Sequence, residues 1–502
     1  VFSANNDTIE RQKAAPINVV IGNPPYSAGQ TSANDLNANL KYPSLDKRIA
    51  ETYAGKSTAQ LKNSLYDSYL RAFRWATDRI GNQGVVAFVS NGGWLDGNTG
   101  DGVRLSMAED FTDLYVFNLR GNQRTAGEQS RREGGKVFGS GSRNTVAITL
   151  GVKDPEKNGF TLHYRDIGDY LSAEEKLDIV KANTIDTIEW QLITPNEYGD
   201  WVDQRDPKFE SWPALGDKNR FTTRFFTVIS GGLATARDAW AYSSSTSKLI
   251  ANVRASINTF NLMPTGDEID PKLIKWSSKF SQLKKSGQTL EFNDSNVALS
   301  TYRPFYKQHV YYSDQYNDRR GQMPSIFPNV DQPNIGFVVM APRDAANFAA
   351  LATDQMPDLS FFTYTGQFFP RFTWEPVEAE DDGLFGGGVV VTHDGEASAY
   401  GEIGEVIDGY VRVDNVTDEI KKIYRDALGA DITGDDIFHF AYGKLHDPAY
   451  RETYAADLKK MLPHIKTPDS REEFDTFAAA GAELMALHVG YEDVEPWPLD
   501  IR

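Results

Sequence analysis

Between Asn18 and Gln30 the chain reads NVVIGNPPYSAGQ. A short apolar run suited to a strand ends in Asn23-Pro24-Pro25-Tyr26, and this junction constrains the fold more than any other stretch. Proline lacks a backbone N–H and has a fixed φ, so two in succession stop a strand. A brief apolar strand with polar flanks is expected to be buried on both faces of a parallel sheet. In open α/β sheets ligands sit just beyond the carboxyl ends of such strands, and that is where Asn23–Tyr26 falls. The bland reading is a turn, because Asn before Pro is a common turn starter. The chemical reading follows from stiffness. The Asn23 side-chain carbonyl and the Pro24 backbone carbonyl are two fixed acceptors. Together they can hold both hydrogens of a planar amino group and draw its lone pair out of conjugation. Tyr26 adds a flat face for stacking. Orientation and electrostatics suffice for this activation, with no general base at the start. The matching substrates are the exocyclic amine of a flipped nucleobase or the side-chain amide of a glutamine.

The residues that follow extend the pattern. Ser27–Lys56 is polar and loop-like. Ser57–Ile80 is predicted as an amphipathic helix, with Leu61, Leu65, Tyr69, Phe73, Ala76 and Ile80 at three- and four-residue spacing. Ser57 or Thr58 can cap it, and Gly81 and Gly84 end it. Val85–Ser90 then reads as a buried strand, which completes a βαβ unit with a right-handed crossover. Asp113–Leu119 and Asn144–Val152 are two further strands. Between them, Arg120–Arg143 carries Arg120, Arg124, Arg131, Arg132, Lys136 and Arg143 against only Glu128 and Glu133. That loop is either a solvated surface segment or a phosphate-contacting one.

An apolar strand running into Asn23-Pro24-Pro25-Tyr26 resembles the catalytic motif of S-adenosylmethionine-dependent amino-methyltransferases, among them the adenine-specific DNA methyltransferases. The strand order after it resembles the second half of a methyltransferase sheet. The resemblance implies that Asn23, Pro24, Pro25 and Tyr26 are catalytic, and that Tyr26 and Phe138 stack on a flipped adenine from opposite faces. In that group the glycine-rich cofactor turn and its acidic partner lie upstream of the motif. Only 22 residues precede Asn23 here. The chain is therefore expected to be a fragment with an incomplete S-adenosylmethionine site, its cofactor-binding residues lying upstream.

The organisation reads as three parts: a catalytic part (1–155), a bridging region (156–215) with one helical stretch at Ser172–Asn183, and a tail (216–502). The tail contains "GLATARDAW" after Arg224, the tyrosine- and arginine-rich Tyr302–Pro328, and two helical stretches, Asp435–Ile465 and Ser470–Glu492. These stretches resemble the carboxyl-terminal specificity region of Type ISP restriction-modification enzymes. Those are single chains that join a nuclease, a DNA translocase, an adenine methyltransferase and a target-recognition domain. The implied fold class is an α/β partial Rossmann-like methyltransferase domain followed by a large mixed α+β target-recognition domain. The implied partners are double-stranded DNA and the upstream nuclease and translocase domains, with Mg and ATP serving only those missing parts. One departure is Ala236, where a glycine is expected.

In the tail, Arg237, Arg303, Lys307, Arg319 and Arg320 are candidates to read guanine edges or grip phosphates. The alternative is that such arginines pair with acids while Trp240, Tyr302, Phe305, Tyr311 and Tyr312 form core. Two rival functions stay open: methylation of a protein glutamine, and a DNA-binding specificity module without catalysis.

Composition bounds these readings. With 502 residues, 40% hydrophobic and 12% aromatic, the chain can fill two or three cores. No apolar run approaches transmembrane length, so no membrane partner is expected. There are no cysteines, and the seven histidines show no metal-ligand spacing, so no metal site is expected and a cytoplasmic location fits. The net charge of −18 is unusual for a DNA binder, but distribution matters more than the total. Much of the acid sits in Glu375–Glu419, where Arg412 is the only Lys or Arg. This 375–419 stretch is expected to be a surface hairpin insertion facing away from DNA, or a contact for another part of the protein.

Overall fold

A computed structural model describes residues 2–25, 41–59, 62–125, 127–138, 143–217, 222–263, 270, 272–330, 332–342, 348–362, 365–377, 397–495 and 498. The chain divides into two compact units, one reaching to Arg205 and the other beginning at Asp206.

The first unit runs α1 (Phe2–Ala14), β1 (Val19–Gly22), α2 (Pro43–Glu51), α3 (Tyr53–Lys56), α4 (Ser68–Arg79), β2 (Gly84–Asn91), α5 (Asp101–Asp110), β3 (Asp113–Arg120), α6 (Gly127–Glu133), β4 (Val146–Lys153), β5 (Thr161–Asp166), α7 (Ala173–Ala182) and β6 (Gln191–Ile193). The six strands form one sheet in the order β1-β2-β4-β3-β5-β6. β1 pairs parallel to β2, with Val19 opposite Val85 and Gly22 opposite Phe88. β4 is antiparallel to both β2 and β3, so β1, β2 and β3 share one direction. One face of the sheet packs Val86, Phe88, Leu114 and Val116 against Tyr69, Phe73, Val103 and Met107 of the helices. The other face packs Phe117, Leu119 and Val146 against Val137, Ile167, Ile179 and Val180. Residues 156–205, read from the sequence as a bridge, thus supply two strands of this sheet and the helix that covers part of it.

Two expectations are corrected here. β1 is not buried on both faces. It is an edge strand with one face covered: Val20 packs against the core, whereas Val19 and Ile21, on the opposite face, are 56% and 77% exposed. The helix expected over Ser57–Ile80 begins at Ser68, after a 3₁₀ turn at Asn63–Tyr66. Thr58 is no cap: its N–H and hydroxyl both donate to Asp101 Oδ2, each at 2.8 Å, which pulls that segment away from helical geometry. Leu65, Tyr69, Phe73, Ala76 and Ile80 are nevertheless all buried, since a 3₁₀ turn feeding a helix keeps the same face inward.

The second unit contains α8 (Asp238–Ala241), β7 (Tyr242–Ser243), α9 (Thr246–Leu262), α10 (Ser278–Lys285), β8 (Val297–Arg303), β9 (Tyr306–Tyr311), α11 (Met323–Ile326), β10 (Gly336–Met340), β11 (Ala350–Thr353), β12 (Met356–Pro357), β13 (Gly366–Pro370), β14 (Phe372–Pro376), β15 (Val406–Ile407), β16 (Tyr410–Asp414), α12 (Asp418–Leu428), α13 (Gly434–His446), α14 (Pro448–Thr453), α15 (Ala455–Leu458) and α16 (Arg471–Val489). There are three small sheets, β12-β8-β9-β7, β11-β10-β13 and β14-β16-β15. One face of β11-β10-β13 joins the core in which Phe226, Phe337 and Phe369 meet Phe438, Tyr442 and Phe474, and its other face packs Val338, Leu351 and Phe368 with Tyr242, Ala298 and Val310 of the four-stranded sheet. α13 and α16 pack backbone to backbone through Gly443 and Gly481. Of the acidic 375–419 stretch, residues 378–396 lie outside the described residues. Its flanks pair as antiparallel strands, Glu375 opposite Val411, and Arg412 is buried with its guanidinium over the Trp374 ring. Among the described residues no helix is long and apolar enough to cross a membrane, and no cluster of three or more His, Asp or Glu could hold a metal ion.

Candidate active site and nucleic-acid interface

Because β1, β2, β3 and β5 run one way and β4 and β6 the other, one end of the sheet gathers the carboxyl ends of four strands and the starts of two. Asn23-Pro24-Pro25 leaves β1 there. Asn23 and Pro25 are exposed and Pro24 is buried. Gly22 lies against Phe88, whose ring a Cβ would meet at 3.3 Å. Tyr26 lies outside the described residues. Beside it β2 ends in Asn91-Gly92-Gly93. The Asn91 side chain accepts the Gly93 N–H at 2.9 Å, and the Gly92 N–H donates to the Thr145 carbonyl at 3.0 Å. That bond ties the turn after β2 to the segment entering β4.

The basic loop emerges at the same end. Its first member, Arg120, sits at φ 54 and is spoken for. Its Nε bonds Asp166 at 2.7 Å and its Nη1 pairs with Asp169. Burial works against its charge, but the bonds to Asp166 outweigh this and raise its pKa. Arg124, Arg131, Arg132 and Arg143 are exposed and Lys136 is half-buried. Arg131 has only the loose pair with Glu128 at 3.5 Å, and the other four show no acidic partner among the described residues. Val137 is buried and the following Phe138 is 37% exposed. Asn23-Pro24-Pro25 thus leaves β1 and the basic loop leaves β3 at the same end of the sheet, with β2 and β4 between them, and Arg120 is held in an internal clamp.

The tail candidates divide differently. Arg237 is fully buried. It donates to the Tyr316 carbonyl and, at 2.6 Å, to Ser277 Oγ, and it stacks 3.5 Å from the Phe280 ring centroid. Burial lowers its pKa to about 10, and the nearby Tyr316 and Asp318 offset only part of that. In this conformation it cannot reach a base or a phosphate. Arg303 bonds Asp358 at 2.8 Å and lies over Tyr302. Lys307 bonds Glu492 at 2.9 Å, and Arg320 bonds Asp314 at 3.0 Å. Only Arg319 of the five is free to reach outward, its side chain 78% exposed and 3.9 Å from Asp318. Tyr311 and Tyr312 are core, whereas Phe305 is half exposed. Ala236 adopts φ 59, the left-handed region that glycine enters without penalty, which explains why glycine is the residue expected there.

The sequence reading overlooked Asp166, Asp169 and Lys176, which hold the loop from behind. A signal was present in Ser172-Ala-Glu-Glu175, a capping-box pattern that the structure forms in full.

Comparison with known proteins gives a consistent result. The Type ISP C-terminal specificity domain family model matches residues 224–502. A nuclease-deletion mutant of the Type ISP restriction-modification enzyme LlaGI, solved with a DNA substrate mimic, is 34% identical with a TM-score of 0.77, covering 99% of this chain and 37% of that one. The ATP-dependent Type ISP restriction-modification enzyme LlaBIII bound to DNA is 30% identical with a TM-score of 0.81, covering 99% and 31%. The DrdV–DNA complex is 34% identical with a TM-score of 0.79, covering 98% and 46%. The chain thus spans between about a third and a half of these proteins' length. No curated protein matches it.

Proposed function

The chain belongs to the Type ISP restriction-modification enzymes, and from that premise we propose that it is the amine-holding and target-recognising portion of an adenine-specific DNA methyltransferase. The observation that carries this reading is the placement of Asn23-Pro24-Pro25 at the carboxyl end of a strand, at the end of the sheet where the basic loop also leaves. The Asn23 amide oxygen and the Pro24 carbonyl accept the two hydrogens of a flipped adenine's amino group. Phe138 offers one stacking face and Tyr26 the other. S-adenosylmethionine, held by residues upstream of this chain, would supply the methyl group: the N–C bond would form as the C–S bond breaks, the sulfur would leave as a neutral thioether, and the nitrogen would lose one proton to water. Two stiff acceptors match the two N–H donors of an amino group, so these residues are assigned to the base. Arg124, Arg131, Arg132, Lys136 and Arg143 supply phosphate contacts. The second unit selects the sequence, with Arg319 as the exposed member of the five tail candidates.

The test uses the parent gene, including its upstream part, expressed in a methylation-free bacterium beside an Asn23→Ala version. The expected result is N6-methyladenine at one short sequence, absent in the variant. Folded wild-type protein that leaves no modified adenine would refute the assignment and favour binding without catalysis. Methylated protein glutamine would favour the other rival.

A further inference from the structure

We propose that Lys176 is a positioning residue that locks the segment presenting Phe138 at the sheet edge. The proposal rests on the methyltransferase reading. Lys176 lies on α7, outside the candidate motif and the basic loop, and is fully buried. Its Nζ donates to the Glu133 carbonyl at 2.6 Å and to the Gly135 carbonyl at 3.0 Å. The first is the end of α6, where a cation is favoured and carbonyls lack helical partners. A buried lysine is a costly choice, and burial lowers its pKa. An apolar residue would fill the site as well, but it could not bond two loop carbonyls at once.

The contacts around it fix the same segment. The Gly135 N–H donates to the Leu171 carbonyl at 2.8 Å, and the Tyr170 N–H to the Arg132 carbonyl at 3.1 Å. The Tyr170 hydroxyl donates to Glu128 at 2.7 Å, from a residue held at φ 63. Gly134 (φ 68) and Gly135 approach so closely that a Cβ would stand 2.1 Å from the Leu171 carbonyl and 2.4 Å from the Ala173 nitrogen. From the other side, Glu133 accepts the Asn122 N–H at 2.9 Å, and Gln123 donates to the Gly134 carbonyl at 3.0 Å. Arg120, bound to Asp166 and Asp169, ties β3 to the chain leading into α7. Val137 is then seated in the core and Phe138 is left exposed beside it. A stacking surface is useful only if it is in place before the base arrives, and this arrangement supplies that order without touching the base.

The experiment measures site-specific DNA methylation by the full parent enzyme. Variants are Lys176→Met, Lys176→Arg and Gly135→Ala, each also placed in a Phe138→Ala background. Hydrogen exchange across residues 127–138 reports whether the loop has loosened and whether the rest is folded. Lys176→Met should lower kcat by about a hundredfold, as for a misplacement of roughly an ångström, with KM for DNA little changed. Lys176→Arg should recover part of the loss, and Lys176→Met should add nothing once Phe138 is Ala. Gly135→Ala keeps the lysine side chain but pushes the loop carbonyl it binds away from α7; it should reproduce the kcat loss, so it decides the matter if Lys176→Met does not fold. Wild-type kcat in folded Lys176→Met, or full additivity with Phe138→Ala, overturns the proposal while the methyltransferase reading stands. A wild-type enzyme that methylates nothing overturns both.

Discussion

Gly481→Ala should destabilise the second unit, although the helix itself would gain from it. In an exposed helix interior Ala is better than Gly by about 1 kcal/mol. Gly481 is on α16 against α13, where a Cβ would stand 2.0 Å from the His439 carbonyl oxygen and 2.9 Å from the Gly443 nitrogen. Neither obstacle is the tip of a flexible side chain, so the helices must part by more than an ångström. Gaps of that order forfeit a quarter to a half of the dispersion contact, and overpacking costs about 1–3 kcal/mol or more. The contacts at stake include the Phe440–Phe474 pair, with centroids 5.1 Å apart, and the Tyr442 hydroxyl bond to His488 Nδ1 at 2.5 Å. Set against the gain in propensity, the net loss should be up to about 2 kcal/mol, since both obstacles are backbone and the cost lies at the upper end of that range. The two units need not unfold in one step, so the assay is native-state hydrogen exchange on peptides from α13 and α16. Gly443→Ala, whose Cβ would stand 2.2 Å from the Phe477 carbonyl, should behave alike. The double variant should lose less than the sum, because one separation accommodates both methyls. A Gly481→Ala protein that is more protected by about 1 kcal/mol would refute the close-crossing argument.

Other outcomes follow from charge. Arg132→Ala, read in the full enzyme on DNA without the target sequence, should weaken binding and reduce the slope of log affinity against log salt by about one. Arg237→Ala should leave that slope unchanged and lower stability instead, because its guanidinium is used inside the protein; the reverse pattern would reassign the two. Acid should weaken the second unit through His446, whose pKa is lowered to about 3 by burial first, then by Arg451 and His488. Its folded pKa lies below the unfolded value of about 6.5, so its contribution is complete above that pH and is lost as pH falls toward 3. The limit is about 1.4 kcal/mol per pH unit. Discounted for partial exposure, the loss between pH 7 and 5 should be about 1 kcal/mol. It should be absent from His446→Phe in denaturation at the two pH values, and an unchanged acid response in that variant would remove His446 from the account.

What the sequence determined by itself was local. The strands β2, β3 and β4, the strand that breaks at two prolines, and the inward face carrying Leu65, Tyr69, Phe73, Ala76 and Ile80 were all legible. Backbone periodicity and proline chemistry act within a few residues and need no distant partner. The family was also legible, in stretches such as "GLATARDAW". Tertiary structure decided which polar groups face outward. Arg120 and Arg237 look like their neighbours as letters, but one is bonded to Asp166, 46 positions away, and the other to the carbonyl of Tyr316, 79 positions away. Lys176 reads as one more charge on an amphipathic helix until the Gly135 carbonyl, 41 positions back, is found beside it. Thr58 reads as a helix cap until Asp101, 43 positions on, takes both its donors. A charged or capping side chain is satisfied by whichever group the fold brings within about 3 Å. That choice is made by the sheet order and the close glycine contacts, and no spacing along the chain records it.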